Sequence, residues 1–159
     1  ILPVTVLPKI AQLPIHYSQK EINFKKGYLF SDASPLYPFG YGLSYTSFDY
    51  SDLQIKPAID SIRLTIQIRN SGKLAGEEVV QVYAKKIDSK VLQPMKKLIG
   101  FKKVNLRESE SKAVELVLDS EWLKYWDIEK QEYNLEKGEY EIQVGSSSSD
   151  IRLNQIIEL

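Results

Sequence analysis

The 159-residue sequence contains no cysteine, and histidine and methionine occur once each. The missing thiols exclude disulfides, thiolate catalysis and cysteine-ligated metals together. They leave the compartment open, because exported proteins can lack cysteine too. A single histidine, His16, excludes multi-histidine metal sites and argues against Ser-His-Asp chemistry. An excess of charge is missing as well: 21 Lys and Arg offset 21 Asp and Glu. That balance argues against nucleic acid or a membrane surface as partner, since both attract a cationic surplus. No apolar run approaches the roughly 18 residues that a membrane-spanning helix requires. The chain opens on Ile1 with no basic-then-apolar leader, and reads as part of something longer. Its function is then expected to belong to a parent protein.

What is present is the mix of a globular domain, 26% charged and 43% hydrophobic. Two textures divide it. Up to about residue 46 the chain is crowded with proline (Pro3, Pro8, Pro14, Pro35, Pro38) and aromatics. One strand is expected there, Leu2 to Leu7, with prolines suited to an edge or a strand end. The rest of this arm reads as ordered loop, too aromatic to be a solvated linker. From Phe48 onward apolar residues recur every second position. Ile62, Leu64, Ile66 and Ile68 alternate with polar neighbours, and Val80, Val82 and Ala84 repeat the pattern. So do Val114, Leu116 and Leu118, then Tyr140, Ile142 and Val144, then Ile151 to Leu159. Shorter strands are expected at 48–55 and 98–106. Asp119 or Ser120 caps a single helical turn carrying Trp122, Leu123 and Trp126. The fold class is all-β: an immunoglobulin-like antiparallel sandwich of about seven strands with an N-terminal extended arm.

Groups able to do chemistry have bland readings at hand. Gly72 to Gly76 joins two strands and lacks the Lys-Ser/Thr ending of a phosphate loop, so it is a turn. Glu77 and Glu78 are neighbours in a strand and point to opposite faces, and Asp49 and Asp52 read as solvated. His16 lies among apolar residues, as a packing histidine does. Lys96, Lys97, Lys102 and Lys103 bracket a strand and read as a charged edge that resists aggregation. Trp122, Tyr125 and Trp126 suit either a carbohydrate-stacking surface or an apolar face, Trp122 and Trp126 sealing one end of the sandwich at i and i+4. Tyr37, Phe39, Tyr41 and Tyr45 read as docking anchors rather than ligand contacts, with Tyr28 beside them.

The run Pro35 to Thr46 (Pro-Leu-Tyr-Pro-Phe-Gly-Tyr-Gly-Leu-Ser-Tyr-Thr) resembles the C-terminal part of glycoside hydrolase family 3 enzymes. Leu2 to Thr5 and Gln12 to Pro14 precede it in the same order. Asn70 to Lys73, Gly76 to Tyr83, Leu98 to Lys102, Gly138 to Tyr140 and Val144 to Ser148 continue the resemblance through a fibronectin type III-like domain. Leu106 to Ser111 (Leu-Arg-Glu-Ser-Glu-Ser) depart from it, standing where the family often has a Pro-Gly turn before its Glu, and a differently shaped turn is expected.

The resemblance implies that residues 1–46 end an α/β domain and form an aromatic linker arm, and that 47–159 are the fibronectin type III-like domain. It implies a parent that removes terminal β-glucosyl or β-xylosyl residues with retention, while this segment carries no catalytic residue, metal or cofactor. The expected role is to brace the parent's catalytic domains, with a second copy of the chain or an oligosaccharide as further partners. The alternative is an independent carbohydrate-binding module built on Trp122, Tyr125 and Trp126. By family analogy the compartment is the periplasm or the exterior, with the cytoplasm left open. If the arm packs on a missing neighbour, its amides should exchange fast before residue 46 and slowly around Ile66, Val82 and Val144.

Overall fold

The computed structural model describes residues 1–8, 17–18 and 34–159. Nine strands follow one another among the described residues: β1 (Phe48–Pro57), β2 (Ser61–Asn70), β3 (Gly76–Lys86), β4 (Lys97–Leu106), β5 (Ser111–Asp119), β6 (Tyr125–Asp127), β7 (Glu132–Asn134), β8 (Glu139–Gly145) and β9 (Ile151–Glu158). Seven of them make the sandwich. One sheet has the order β1-β2-β5 and the other β4-β3-β8-β9, with antiparallel neighbours throughout. The remaining pair, β6 and β7, is a small separate hairpin.

The alternation seen in the sequence is the alternation of burial. Ile62, Leu64, Ile66 and Ile68 of β2 are fully buried, while Arg63 and Arg69 are exposed and Thr65 and Gln67 half-buried. Val80, Val82 and Ala84 of β3, Val114, Leu116 and Leu118 of β5, and Tyr140, Ile142 and Val144 of β8 join them in one core. Each large aliphatic side chain enclosed this way contributes on the order of 1.5–3 kcal/mol. Gly100 lies against that core, where a Cβ would come within 2.3 Å of a Leu118 methyl. In β1 the register slips between Ser51 and Gln54, with Asp52 at a φ of 54°. This is a bulge in an edge strand, where bulges are common.

Three expectations are corrected. The N-terminal strand is reduced to one bridge, Val6 with Tyr37, because Pro3 and Pro8 have no amide hydrogens to extend a ladder. The helical turn is a 3-10 turn of four residues, Ser120–Leu123, whose Asp119 cap accepts from the Glu121 amide. Lys124 is already extended, so Trp122 and Trp126 do not share a helical face. Leu123 is the buried apolar residue of that turn, with Ser120 buried beside it, and Trp126 belongs to β6 instead. His16 and Tyr28 lie outside the described residues.

The lysine-rich β4 borders its sheet, and three lysines in or next to it donate to backbone carbonyls. Lys96 donates to Ser148, Lys97 to Lys124 (3.0 Å) and Lys102 to Glu115 (3.0 Å). Lys112 of β5 returns the favour to Asn105 of β4 at 2.7 Å. Residues 107–110 close the β4–β5 connection as a turn. The Glu110 amide donates to the Arg107 carbonyl, the Glu110 carboxylate accepts from the Arg107 amide, and Ser109 sits at a φ of 57°.

Candidate functional site

Strand β3 sends Val80 and Val82 inward, so Gln81 and Tyr83 point to the outer face of the four-stranded sheet. An outer-face residue is ordinarily wet. These two are 1% and 0% exposed, because part of the N-terminal arm lies over them as a strap. The Gln81 amide nitrogen donates to the Gly40 carbonyl (3.1 Å) and to the Ser146 carbonyl, and Gln81 Oε1 accepts from the Tyr83 hydroxyl (2.6 Å). Tyr17 stacks on Phe39 with centroids 4.2 Å apart and meets Tyr83 edge-on at 5.9 Å. Lys96 stands over the other reach of the Tyr83 ring, 5.4 Å from its centroid. Burial raises the Tyr83 phenol and lowers the Lys96 ammonium, as a dry clasp should.

The strap's own backbone completes the clasp. Residues 38–41 form a turn, the Tyr41 amide donating to the Pro38 carbonyl, with Gly40 at a φ of +80°. A Cβ there would lie 2.0 Å from Gln81 Oε1, so only glycine satisfies both the turn and the clasp. Gly40 and Leu2 exchange one further bond, Leu2 and Tyr41 another, and the Ser148 amide donates to the Phe39 carbonyl at 2.9 Å. The Ser146–Ser149 run earns its hydroxyls here: Ser147 Oγ accepts from the Asp150 amide, and Ser146 Oγ donates to the Asp150 carboxylate.

Further along, Thr46 is pinned to Asn70, a fully buried polar residue at the end of β2. Asn70 Oδ1 accepts from Thr46 Oγ1 (2.6 Å) and the Gly72 amide (3.1 Å); its Nδ2 donates to the Leu74 (2.7 Å) and Leu106 (3.3 Å) carbonyls. All four of its hydrogen-bonding positions are thereby used.

The singled-out aromatics therefore separate. Phe39 and Tyr41 are half-buried in the strap, and Tyr37 tilts against Tyr41 at 4.9 Å. Tyr45 is 98% exposed and Leu43 90%, both on the strap. Trp122 is exposed on its 3-10 turn, whereas Trp126 packs edge-on to Tyr133, its cross-strand partner in the hairpin, at 5.1 Å. Tyr125 is half-buried. Gln81, Asn70 and Tyr133 were not singled out from sequence, although a lone glutamine inside Val-Val-Gln-Val-Tyr was a visible irregularity.

The carboxylates are engaged one by one. Glu77 pairs with Lys103 at 2.6 Å on the surface, and Glu78 accepts from the Tyr50 hydroxyl at 2.6 Å, across to β1. Arg152 lies over the Tyr50 ring and pairs with Asp150 at 2.7 Å. A shallow cavity of about 350 Å³ opens beside Glu78, between it and strap residues Gly42–Ser44. Burial raises the Glu78 carboxyl above its ordinary value, and burial raises the Tyr50 phenol too. The fold thus favours protonated Glu78. The stability this gives is complete below the ordinary glutamate range and is lost as pH rises through the raised value. Glu78→Gln should accordingly raise the melting temperature at pH 7, with the gain vanishing as the pH falls below that range. Paired thermal melts across pH 3–8 check this, and a gain that grows on acidification would refute it.

Comparison with known proteins gives the chain its relatives. Residues 78–148 match the family model of the fibronectin type III-like domain. The chain is similar to a putative β-xylosidase of Formosa agariphila, 48% identical over 95% of this chain and 20% of that protein. It is also similar to the periplasmic β-glucosidase of Salmonella typhimurium, 31% identical over 95% of this chain and 21% of the relative. Among solved structures, β-glucosidase EmGH1 from Erythrobacter marinus superposes with a TM-score of 0.88 at 38% identity, covering 98% of this chain and 21% of that one. The chain spans about a fifth of the length of the curated relatives it matches.

Proposed function

Since this chain belongs to the C-terminal part of family 3 glycoside hydrolases, with their fibronectin type III-like domain, we propose that it braces the catalytic part of such an enzyme and performs no chemistry itself. The observation that carries this reading is the two-sided strap. Phe39 and Gly40 are clasped to the sandwich, while Leu43 and Tyr45 on the same strap face outward almost bare. Exposing large apolar side chains on an ordered segment costs solubility without return unless a neighbour covers them. The preceding domains of the parent are that neighbour. The division falls between residues 46 and 47, where the Thr46 bond to Asn70 hands the arm to the sandwich.

The parent, on this reading, hydrolyses terminal β-glucosyl or β-xylosyl residues with retention, through two carboxylates carried by its other domains. The compartment proposed is the periplasm or the exterior; the periplasmic relative supports it, and no described helix is long and apolar enough to cross a membrane. Two measurements test the proposal. The 159-residue chain should show no turnover of aryl β-glucosides above buffer. In the full-length parent, Tyr45→Asp should lower the temperature of half-inactivation, yet leave the melting temperature of this chain alone. Turnover by the chain, or equal half-inactivation in both parents, would overturn it.

A further inference from the structure

The β6–β7 hairpin belongs to neither sheet of the sandwich, yet it is held firmly in shape. Asp127 fixes its tip: Oδ1 accepts from the Glu129 (3.0 Å) and Lys130 (3.2 Å) amides, and Oδ2 accepts from Asn134 Nδ2 (3.2 Å). Those amide bonds hold the Asp127 carboxyl below its usual range. On this hairpin Trp126 and Tyr133 are 52% and 66% exposed, their planes 72° apart. They form an open corner, one ring face beside the rim of the other. Neither the Trp126 indole N–H nor the Tyr133 hydroxyl has a hydrogen-bond partner among the described residues. Two apolar faces with two unspent polar handles, set on a rigid tip, are poorly explained by packing.

We propose that Trp126 and Tyr133 form a stacking site for an uncharged β-linked polysaccharide, apart from whatever pocket performs hydrolysis. The C–H face of a pyranose lies on one ring while its hydroxyls meet the free indole N–H and phenol. Glu132 and Asn134 flank Tyr133 along β7 and so point to the hairpin's other face, where Asn134 Nδ2 donates to Asp127 Oδ2 (3.2 Å) and Glu132 Oε1 (3.3 Å) and helps to hold the hairpin's shape. Rigid aromatic side chains give contact area at small entropic cost, which suits a weak, repetitive ligand. Trp122 and Tyr125 have no part in it. The choice of ligand rests on the proposed β-glycosidase parent; the corner itself does not.

The test is affinity electrophoresis of the chain in gels containing mixed-linkage β-glucan or xylan. Retardation is expected, and Trp126→Ala and Tyr133→Ala should each weaken it at least tenfold with an unchanged circular dichroism spectrum. Should a variant misfold, titration of the natural chain with xylohexaose or cellohexaose, followed by the two indole N–H resonances, decides instead: Trp126 should shift and Trp122 should not. No retardation with no shift at millimolar sugar overturns the site. So does dimerisation of the chain that Trp126→Ala abolishes, which would make the corner a self-interface. Hydrolysis by the parent is assayed separately, so a binding chain from an inactive parent refutes the enzyme reading alone. An active parent without binding refutes this site alone.

Discussion

Asn70→Ala should lower the melting temperature of the chain by about 8–15 °C, the largest effect expected of any single polar substitution. Asn70 is fully buried and uses all four of its hydrogen-bonding positions. Truncation leaves the Thr46 hydroxyl, the Gly72 amide and the Leu74 and Leu106 carbonyls short of a partner. Each buried group left unpaired costs about 1–3 kcal/mol, less where water can enter. With the turn at the surface partly rehydrated, a total of about 4 kcal/mol is expected, and at this chain length each kcal/mol moves the midpoint by about 2–4 °C. Asn70→Asp should be no milder, because a carboxylate has no donor for the two carbonyls. Differential scanning calorimetry checks both. A loss under 2 °C would mean that the node does not tie β2, the β4 end and the strap together.

Gly40→Val is the second. It forces a β-branched residue to a φ of +80° and sets a Cβ 2.0 Å from Gln81 Oε1. The left-handed conformation alone costs roughly 1–2 kcal/mol for a residue with a Cβ, more when branched. The overlap cannot be relieved by rotating the far end of Gln81 without breaking its bonds to Gly40 and Tyr83. The strap should lift while the sandwich stays folded, at a cost of about 3 kcal/mol. Hydrogen exchange should then accelerate at the amides of Leu2, Val6, Gly40 and Ser148, which the clasp protects, and stay slow at Ile66 and Val144. In a Gln81→Ala background the further cost of Gly40→Val should shrink, since the two act on one contact. Additive costs would show that Gly40 answers to the turn alone.

The sandwich strands were legible because alternation in sequence reports one buried face, and β2, β5 and β8 each bury one face. The clasp was not legible for the same reason. Gln81 and Tyr83 occupy the outward positions of β3, which local pattern assigns to water; a segment some forty residues earlier covers them. No short-range signal encodes that pairing beyond a Gly-flanked aromatic run that could have packed on either neighbour. The hairpin escaped notice because strands of three residues are too short to alternate. Assigning Trp122 and Trp126 to one face assumed a helical period that ends when Lys124 turns extended.

The paired lysines along β4 and β5 bear on how copies of this domain can meet. These strands border different sheets on the same flank, and each sends an ammonium group to a carbonyl of the other. A lysine side chain lying across a carbonyl stands in the path of an incoming strand, and a positive charge held there repels an identical edge. That flank is therefore guarded against ribbon-like growth, the route by which β-proteins run into fibres. Assembly is left to the sheet faces, the strap and the hairpin, where contact is made by side chains and can be selective. Acylating the lysines would remove the guard, and strand-to-strand association is then the failure to look for.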